Sequence, residues 1–138
     1  MGSRRLAREM ALEVLYQVDL CGGEAMASAM NLFEEKQARP EVRRYARHLI
    51  NGVLNHRDEL DERIVRAADN WRIGRLAAID RTVLRIGVYE MFHSDDVPPK
   101  VAINESIEIV KCYSTAESGH FVNAVLDKIR HQAQLGVD

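Results

Sequence analysis

The chain has 138 residues, enough for one domain with a real core and too few for two independent domains. Apolar residues make up 46% and charged residues 29%, as in ordinary globular proteins, and the formal net charge is −2. No apolar run approaches the ~18 residues of a membrane span, and the N-terminal residues lack the apolar segment of a secretory signal. Cys21 and Cys112 have no metal-binding spacing, so we expect a reduced, cytoplasmic location and no membrane association.

Apolar residues recur at helical spacing along most of the chain, and this pattern predicts about seven helices. The predicted helices span residues 3–20, 24–36, 40 to an end between 52 and 56, 57–68, 76–93 and two segments within 101–129. Gly22 and Gly23 follow the first helix, at the place where glycine commonly ends one. Residues 76–93 are apolar around most of the helix, which indicates a central position. No segment alternates as a half-buried strand would, so we expect one all-α domain over residues 1–138.

A polar turn joins the last two predicted helices. Apolar residues repeat at helical spacing on both sides of it, at Ile103, Ile107 and Val110 and again at Val122, Val125 and Ile129. Pro98 and Pro99 mark where the first of these helices can begin, because proline is tolerated at a helix start but not inside one. Residues 114–119 are rich in side chains that bond their own backbone, which is typical of a turn. We therefore expect the last helix to begin at Phe121.

The residue types that carry catalysis do not form a recognisable set. None of the five histidines pairs with another histidine, a cysteine or an acid at a zinc-type spacing along the sequence. Glu105 and Glu108 lie three residues apart on one helix, where a solvated face is far commoner than a catalytic carboxylate pair. Ser118 follows no strand, so it is not a nucleophile elbow. The sequence predicts no catalytic residue, no metal site, no cofactor and no enzymatic activity.

Arginine dominates the basic residues, supplying 15 of the 19. Its planar fork suits phosphate groups and stacks on bases, so the bias fits an RNA-binding protein, although a GC-rich genome would produce the same bias. Residues 63–85 also concentrate positive charge, with six arginines against Asp69 and Asp80. A local excess of this kind can form an RNA footprint in a protein that is slightly acidic overall.

Three arginines crowd the start of the first helix, close to a tyrosine two turns further on. Arg4, Arg5 and Arg8 oppose the helix dipole, and a bound polyanion would offset that penalty of at most ~1 kcal/mol. Local acids such as Glu9 would offset it equally well, because Glu9 lies four residues after Arg5. Tyr16 is either a core aromatic or a ring with one face exposed to a base. Arginines interleaved with aromatics are typical of single-stranded RNA recognition.

Four segments of the chain carry a resemblance to a known family. They are RRLAREMALEVLYQVDL at residues 4–20, IDRTVLRIGVYEM at 79–91, DVPPKVAINESIEIVKCY at 96–113 and FVNAVLDKI at 121–129. With them, the chain resembles the NusB family of bacterial transcription antitermination factors over nearly its whole length. The match in residues 22–70 is limited to the helical pattern.

The resemblance implies an all-helical fold of two small bundles. It also implies binding to boxA RNA of ribosomal transcripts together with NusE, the small-subunit ribosomal protein, in an antitermination complex on RNA polymerase. The RNA-binding residues that it implies come from the first helix, the start of the central helix and the turn before the last helix. They are Arg4, Arg5, Arg8, Tyr16, Asp80, Arg81, Glu117, Ser118 and Phe121.

Two other functions remain open on the sequence. In one, the chain is a protein–protein interaction module, and its arginines only form solvent-exposed faces of the helices. In the other, it is related to the RNA-binding domain fused to some ribosomal-RNA methyltransferases, although it contains no glycine-rich strand–turn–helix for a methyl donor. Separately, a homodimer could cover the same arginines and regulate access to them.

Overall fold

A computed structural model describes residues 2–35, 38–68 and 75–134 of the chain. Over these ranges it contains seven α-helices and no strand, which confirms the predicted all-α class. The helices are α1 (Gly2–Cys21), α2 (Met26–Glu35), α3 (Pro40–Asn55), α4 (Arg57–Ala67), α5 (Ala78–His93), α6 (Pro99–Tyr113) and α7 (Ala116–Gln132), with a 3₁₀ turn (Gly23–Ala25) before α2. No helix in the described ranges has both the length and the apolarity needed to cross a bilayer.

The helices form two small bundles, as expected, with α5 between them. In the first bundle α1 packs against α2 and α3, and in the second α4, α6 and α7 pack around α5. The other side of α5 packs against α1 and α3. Buried residues on α5 run almost without interruption from Thr82 to Met91, so the sequence correctly predicted a central helix.

Two glycines allow helices of the core to approach α5 closely. Gly52 on α3 lies directly against the ring of Tyr89, so that a Cβ atom there would overlap the ring. A Cβ on Gly87 would lie 2.7 Å from the Oγ of Ser106 on α6 and 3.1 Å from a methyl group of Leu126 on α7. Both contacts depend on the absence of a side chain, because interiors packed at crystal-like density leave no spare volume.

Most predicted boundaries hold, and the clearest error concerns the start of α7. Gly22 follows α1 directly, as expected for a terminating glycine, and its φ of 87° is one that glycine adopts without steric cost. The last helix, however, begins at Ala116 and not at Phe121. The Oγ1 of Thr115 accepts a hydrogen bond from the backbone N–H of Ser118 and so caps the helix early. Most of the predicted turn is therefore the first turn of α7.

Other boundaries differ less. The second predicted helix is split, because residues 23–25 form a 3₁₀ turn before α2 begins at Met26. The central helix begins at Ala78, two residues later than predicted. The predicted break at residues 69–74 lies outside the described residues.

Candidate nucleic-acid interface

Arg8 holds α1 against α5 through a buried ion pair. Its Nε donates to both carboxylate oxygens of Glu90, at 2.9 and 3.0 Å, and the two side chains are only 6% and 1% exposed. The hydroxyl of Tyr45 on α3 donates to the same carboxylate. Burial and the charge of Glu90 raise the pKa of Tyr45 to about 12, so the hydroxyl stays protonated as a donor. In this conformation Arg8 would have to leave Glu90 to reach an RNA phosphate.

Arg4 and Arg5 form ion pairs nearer the surface. Arg5 makes a bidentate pair with Glu105 of α6, with N···O distances of 2.9 and 2.7 Å. The hydrogen bonds between them raise the pKa of Arg5 and lower that of Glu105. Arg4 pairs with Asp96 at 2.6 Å, and its guanidinium lies 3.9 Å from the centre of the Tyr45 ring. The acids that pair with these arginines therefore come from distant parts of the chain, and the hydrogen-bonding partner of Arg5 is Glu105 instead of Glu9.

A groove of about 400 Å³ lies between the start of α1 and α3, and we call it the α1–α3 groove. It is lined by Ser3, Arg4, Glu41, Arg44, Tyr45 and His48. Next to it, a shallow hollow is lined by Ala38, Pro40, Arg43, Arg44 and Arg47. Arg44 borders both, so the groove and the hollow adjoin, and arginines predominate among their charged residues, with Glu41 as the acid in the lining. The arginines of α3 were not among the sequence-based candidates, although their position off the apolar face of a helix was a usable signal.

A second groove, of about 320 Å³, brings together four of the predicted RNA-binding residues, and we call it the α5–α7 groove. Asp80, Glu117, Ser118 and Phe121 line it, together with Arg75, Leu76, Ala77 and Thr115. Ser118 Oγ donates to Asp80 Oδ2 at 2.9 Å. The other oxygen of Asp80 is buried and has no hydrogen-bond partner among the described residues. The groove therefore combines an exposed arginine, an aromatic ring and hydrogen-bond acceptors.

The predicted basic cluster of residues 63–85 is mostly neutralised by acids. Arg81 bonds to Asp19 through its Nε at 3.0 Å and to the carbonyl oxygen of Leu76 through Nη1. Arg85 is buried and pairs with Asp61 and Asp19. Arg63 and Arg66 pair with acids one turn earlier on α4. Arg75 is exposed at the rim of the α5–α7 groove, and Arg72 lies outside the described residues.

Tyr16 lies in the second half of α1, one turn before Asp19. The pairs Arg8–Glu90 and Asp19–Arg81 show that α1 and α5 run antiparallel. Tyr16 is therefore closer to the end of α5 that carries Asp80 than to the end that carries Glu90. Its side chain is half-buried, which leaves part of the ring accessible.

Comparison with known proteins gives one consistent family. The sequence profile of the NusB family matches residues 5–131. The "Transcription antitermination protein NusB" of Myxococcus xanthus is 44% identical over 133 residues, which cover 94% of this chain and 95% of the relative. The protein of the same name from Geobacter sulfurreducens is 42% identical over 130 residues, covering 94% of each.

Solved structures of similar fold point to the same family. The NusB of T. maritima superposes with a TM-score of 0.85 at 32% identity, covering 94% of this chain and 91% of its own. A structure described as antitermination factors NusB and NusE in complex with dsRNA includes a chain with a TM-score of 0.86 at 31% identity, covering 96% of this chain and 98% of its own. The fold and the sequence therefore lead to the same conclusion. The chain belongs to the NusB family.

Proposed function

We propose that this chain is a non-enzymatic, RNA-binding transcription antitermination factor. It binds boxA RNA of ribosomal transcripts together with the ribosomal protein NusE, and the pair joins an antitermination complex on RNA polymerase. Membership of the NusB family supports this function, and so does the solved complex of a related NusB with NusE and dsRNA. The main support for the position of the RNA-binding site is the α5–α7 groove, where Asp80, Ser118 and Phe121 converge from two helices.

The chemistry of the α5–α7 groove suits an unstacked base. Phe121 offers a ring on which a base can stack, a contact worth ~1–3 kcal/mol. The buried, unpaired oxygen of Asp80 and the carboxylate of Glu117 accept hydrogen bonds, so they favour bases that present amino groups. Arg75 at the rim is placed to pair with a phosphate of the same nucleotide.

The α1–α3 groove supplies positive charge for the RNA backbone. Arg4 and Arg44 line it, and a phosphate that approaches Arg4 competes with the exposed carboxylate of Asp96. Arg5 extends this surface towards α6, while Arg8 fixes the position of α1 through Glu90. Tyr16 is half-buried on α1 and can stack on a base, and Arg81 can exchange Asp19 for a phosphate.

A fluorescence anisotropy titration with boxA RNA, with and without NusE, tests this function. We expect Phe121→Leu to weaken RNA binding by about 5- to 150-fold, the range that corresponds to the loss of one stacked base. Val65→Ala is a suitable control, because Val65 is exposed on α4 and lines neither groove. Wild-type affinity in Phe121→Leu would remove Phe121 from the site.

A protein–protein interaction module without RNA binding is the second candidate. It is favoured by one observation, namely that Arg4, Arg5 and Arg8 all form ion pairs with acids of the same chain. Absence of RNA binding both with and without NusE would support it. If the chain forms a homodimer that covers the arginines, sedimentation should show dimers that RNA dissociates.

A further inference from the structure

Three potential metal ligands converge where the end of α3, the start of α4 and the end of α5 meet. They belong to His56, Glu59 and His93. Each residue contributes one donor atom, these three atoms lie within 4.8 Å of one another, and all three residues are half-buried. His56 is the residue between α3 and α4, Glu59 lies in the first turn of α4, and His93 is the last residue of α5. The cluster belongs to neither groove of the proposed RNA surface.

Hydrogen bonds orient both imidazole rings. Nδ1 of His56 lies 2.9 Å from the carbonyl oxygen of Gly52 and must donate to it, because a carbonyl oxygen can only accept. In the neutral ring, Nε2 of His56 then keeps its lone pair. Nε2 of His93 lies 3.2 Å from each carboxylate oxygen of Glu59, and the ring stacks on Tyr89 with a centroid distance of 5.2 Å. The bond from Nδ1 of His56 to Gly52 is of the kind usual for metal-binding histidines, in which the ring nitrogen that does not bind the metal is held by a hydrogen bond.

We propose that His56, Glu59 and His93 form a site for one Zn²⁺ ion or a similar borderline transition-metal cation. Two imidazoles and one carboxylate suit such a cation better than Mg²⁺ or Ca²⁺, which prefer oxygen ligands throughout. Tetrahedral bonds of ~2.0–2.1 Å place neighbouring donor atoms roughly 3.3 Å apart. Nε2 of His93 lies 3.2 Å from each oxygen of Glu59, which already matches this spacing, and a ring nitrogen of His56 lies within 4.8 Å of the other two donor atoms. In the metal-bound form the single proton of the neutral His93 ring lies on Nδ1, so that Nε2 carries the lone pair that binds the metal, and water fills the fourth position.

Arg63 is a positively charged neighbour of Glu59, but it leaves room for the cation. Nε of Arg63 lies 3.7 Å from Glu59 Oε2, beyond hydrogen-bonding distance, and its guanidinium rests on the ring of Phe92. The other oxygen of Glu59 remains available as a ligand. A bound ion would fasten the α3–α4 junction to the end of α5, so we expect it to stabilise the contact between the two bundles.

Calorimetric titration of Zn²⁺ into the untagged, chelator-treated full chain tests the proposal. Cys21 and Cys112 are exposed free thiols that would bind zinc themselves, so the experiment uses a Cys21→Ser/Cys112→Ser background. We expect one saturable site per chain, and at least a 10-fold loss of affinity in Glu59→Gln and in His93→Ala. His131→Ala is the matched control, because His131 lies on α7 outside the cluster, and it should bind zinc as the background does.

Thermal unfolding provides a second, independent measurement. At one Zn²⁺ concentration, the rise in melting temperature should be equal in the background protein and His131→Ala and smaller in Glu59→Gln. Glu59 has a side chain that is 39% exposed, so Glu59→Gln should fold normally, which circular dichroism checks. The proposal is overturned if the background protein shows no saturable binding, or if Glu59→Gln and His93→Ala bind zinc with undiminished affinity.

Discussion

Glu90 is a fully buried carboxylate on the central helix, and its partners determine what that burial costs. The Nε–H of Arg8 is shared between the two oxygens of Glu90 and the hydroxyl of Tyr45 donates to one of them, so hydrogen bonds from the protein replace water around the charge. Such a pair contributes little net stability relative to apolar residues, yet removing one partner leaves an uncompensated charge in the interior. We therefore expect the loss of Arg8 to lower the stability of the folded state.

We expect Arg8→Ala to lower the free energy of unfolding by about 3–5 kcal/mol, measured by urea denaturation. The double variant Arg8→Met/Glu90→Met should recover most of that loss, because it removes both charges and keeps apolar volume in place. Any RNA-binding measurement on Arg8→Ala must therefore be made where the variant is shown to be folded. An unchanged unfolding midpoint in Arg8→Ala would contradict the buried pair.

At the scale of the helices, the contact between α3 and α5 depends on Gly52. The ring of Tyr89 occupies the space where a side chain would begin. We expect Gly52→Ala to destabilise the protein by about 1–3 kcal/mol through overpacking. This exceeds the gain of up to ~1 kcal/mol that alanine brings to a helix interior.

Gly23→Ala is the control for this variant, because no atom lies within 4 Å of the position of its added Cβ. Its free energy of unfolding should stay close to that of the wild type. If Gly52→Ala proves as stable as Gly23→Ala, the two helices do not approach as closely as the structure shows.

The helices could be predicted from the sequence because their signals are local. Periodic apolar residues and the glycine after α1 gave α1 and α4 to within one residue at each end. The local pattern did not predict the start of α7, because the capping residue Thr115 lies inside a polar stretch that is equally typical of a turn. They could not reveal that Glu105 pairs with Arg5 100 residues away, or that His93 meets Glu59 across 34 residues. These contacts depend on how helices pack, which periodicity does not specify.

At the scale of the whole molecule, positive charge is distributed unevenly over a protein of net charge −2. Exposed arginines lie at the start of α3 at Arg39 and Arg44, with Glu41 as the acid that lines the adjoining groove. On α4 and α5, arginines such as Arg66 and Arg85 form ion pairs with acids of the chain. A polyanion should therefore meet the α1–α3 side of the protein, and the salt dependence of binding should report which arginines it meets.

Arg44→Ala is the sharpest variant for this test, because Arg44 borders both the α1–α3 groove and the neighbouring hollow. Each phosphate contact with a single strand contributes about −0.7 to the slope of log K against log salt. We expect Arg44→Ala to flatten that slope by about 0.7 and to weaken RNA binding most at low salt. Arg66→Ala removes an exposed arginine of α4 that pairs with Glu62, and it should leave the slope unchanged. Equal slopes for the wild type and Arg44→Ala, measured by anisotropy over a salt series with NusE present, would exclude α3 from the RNA path and confine binding to the α5–α7 groove and the start of α1.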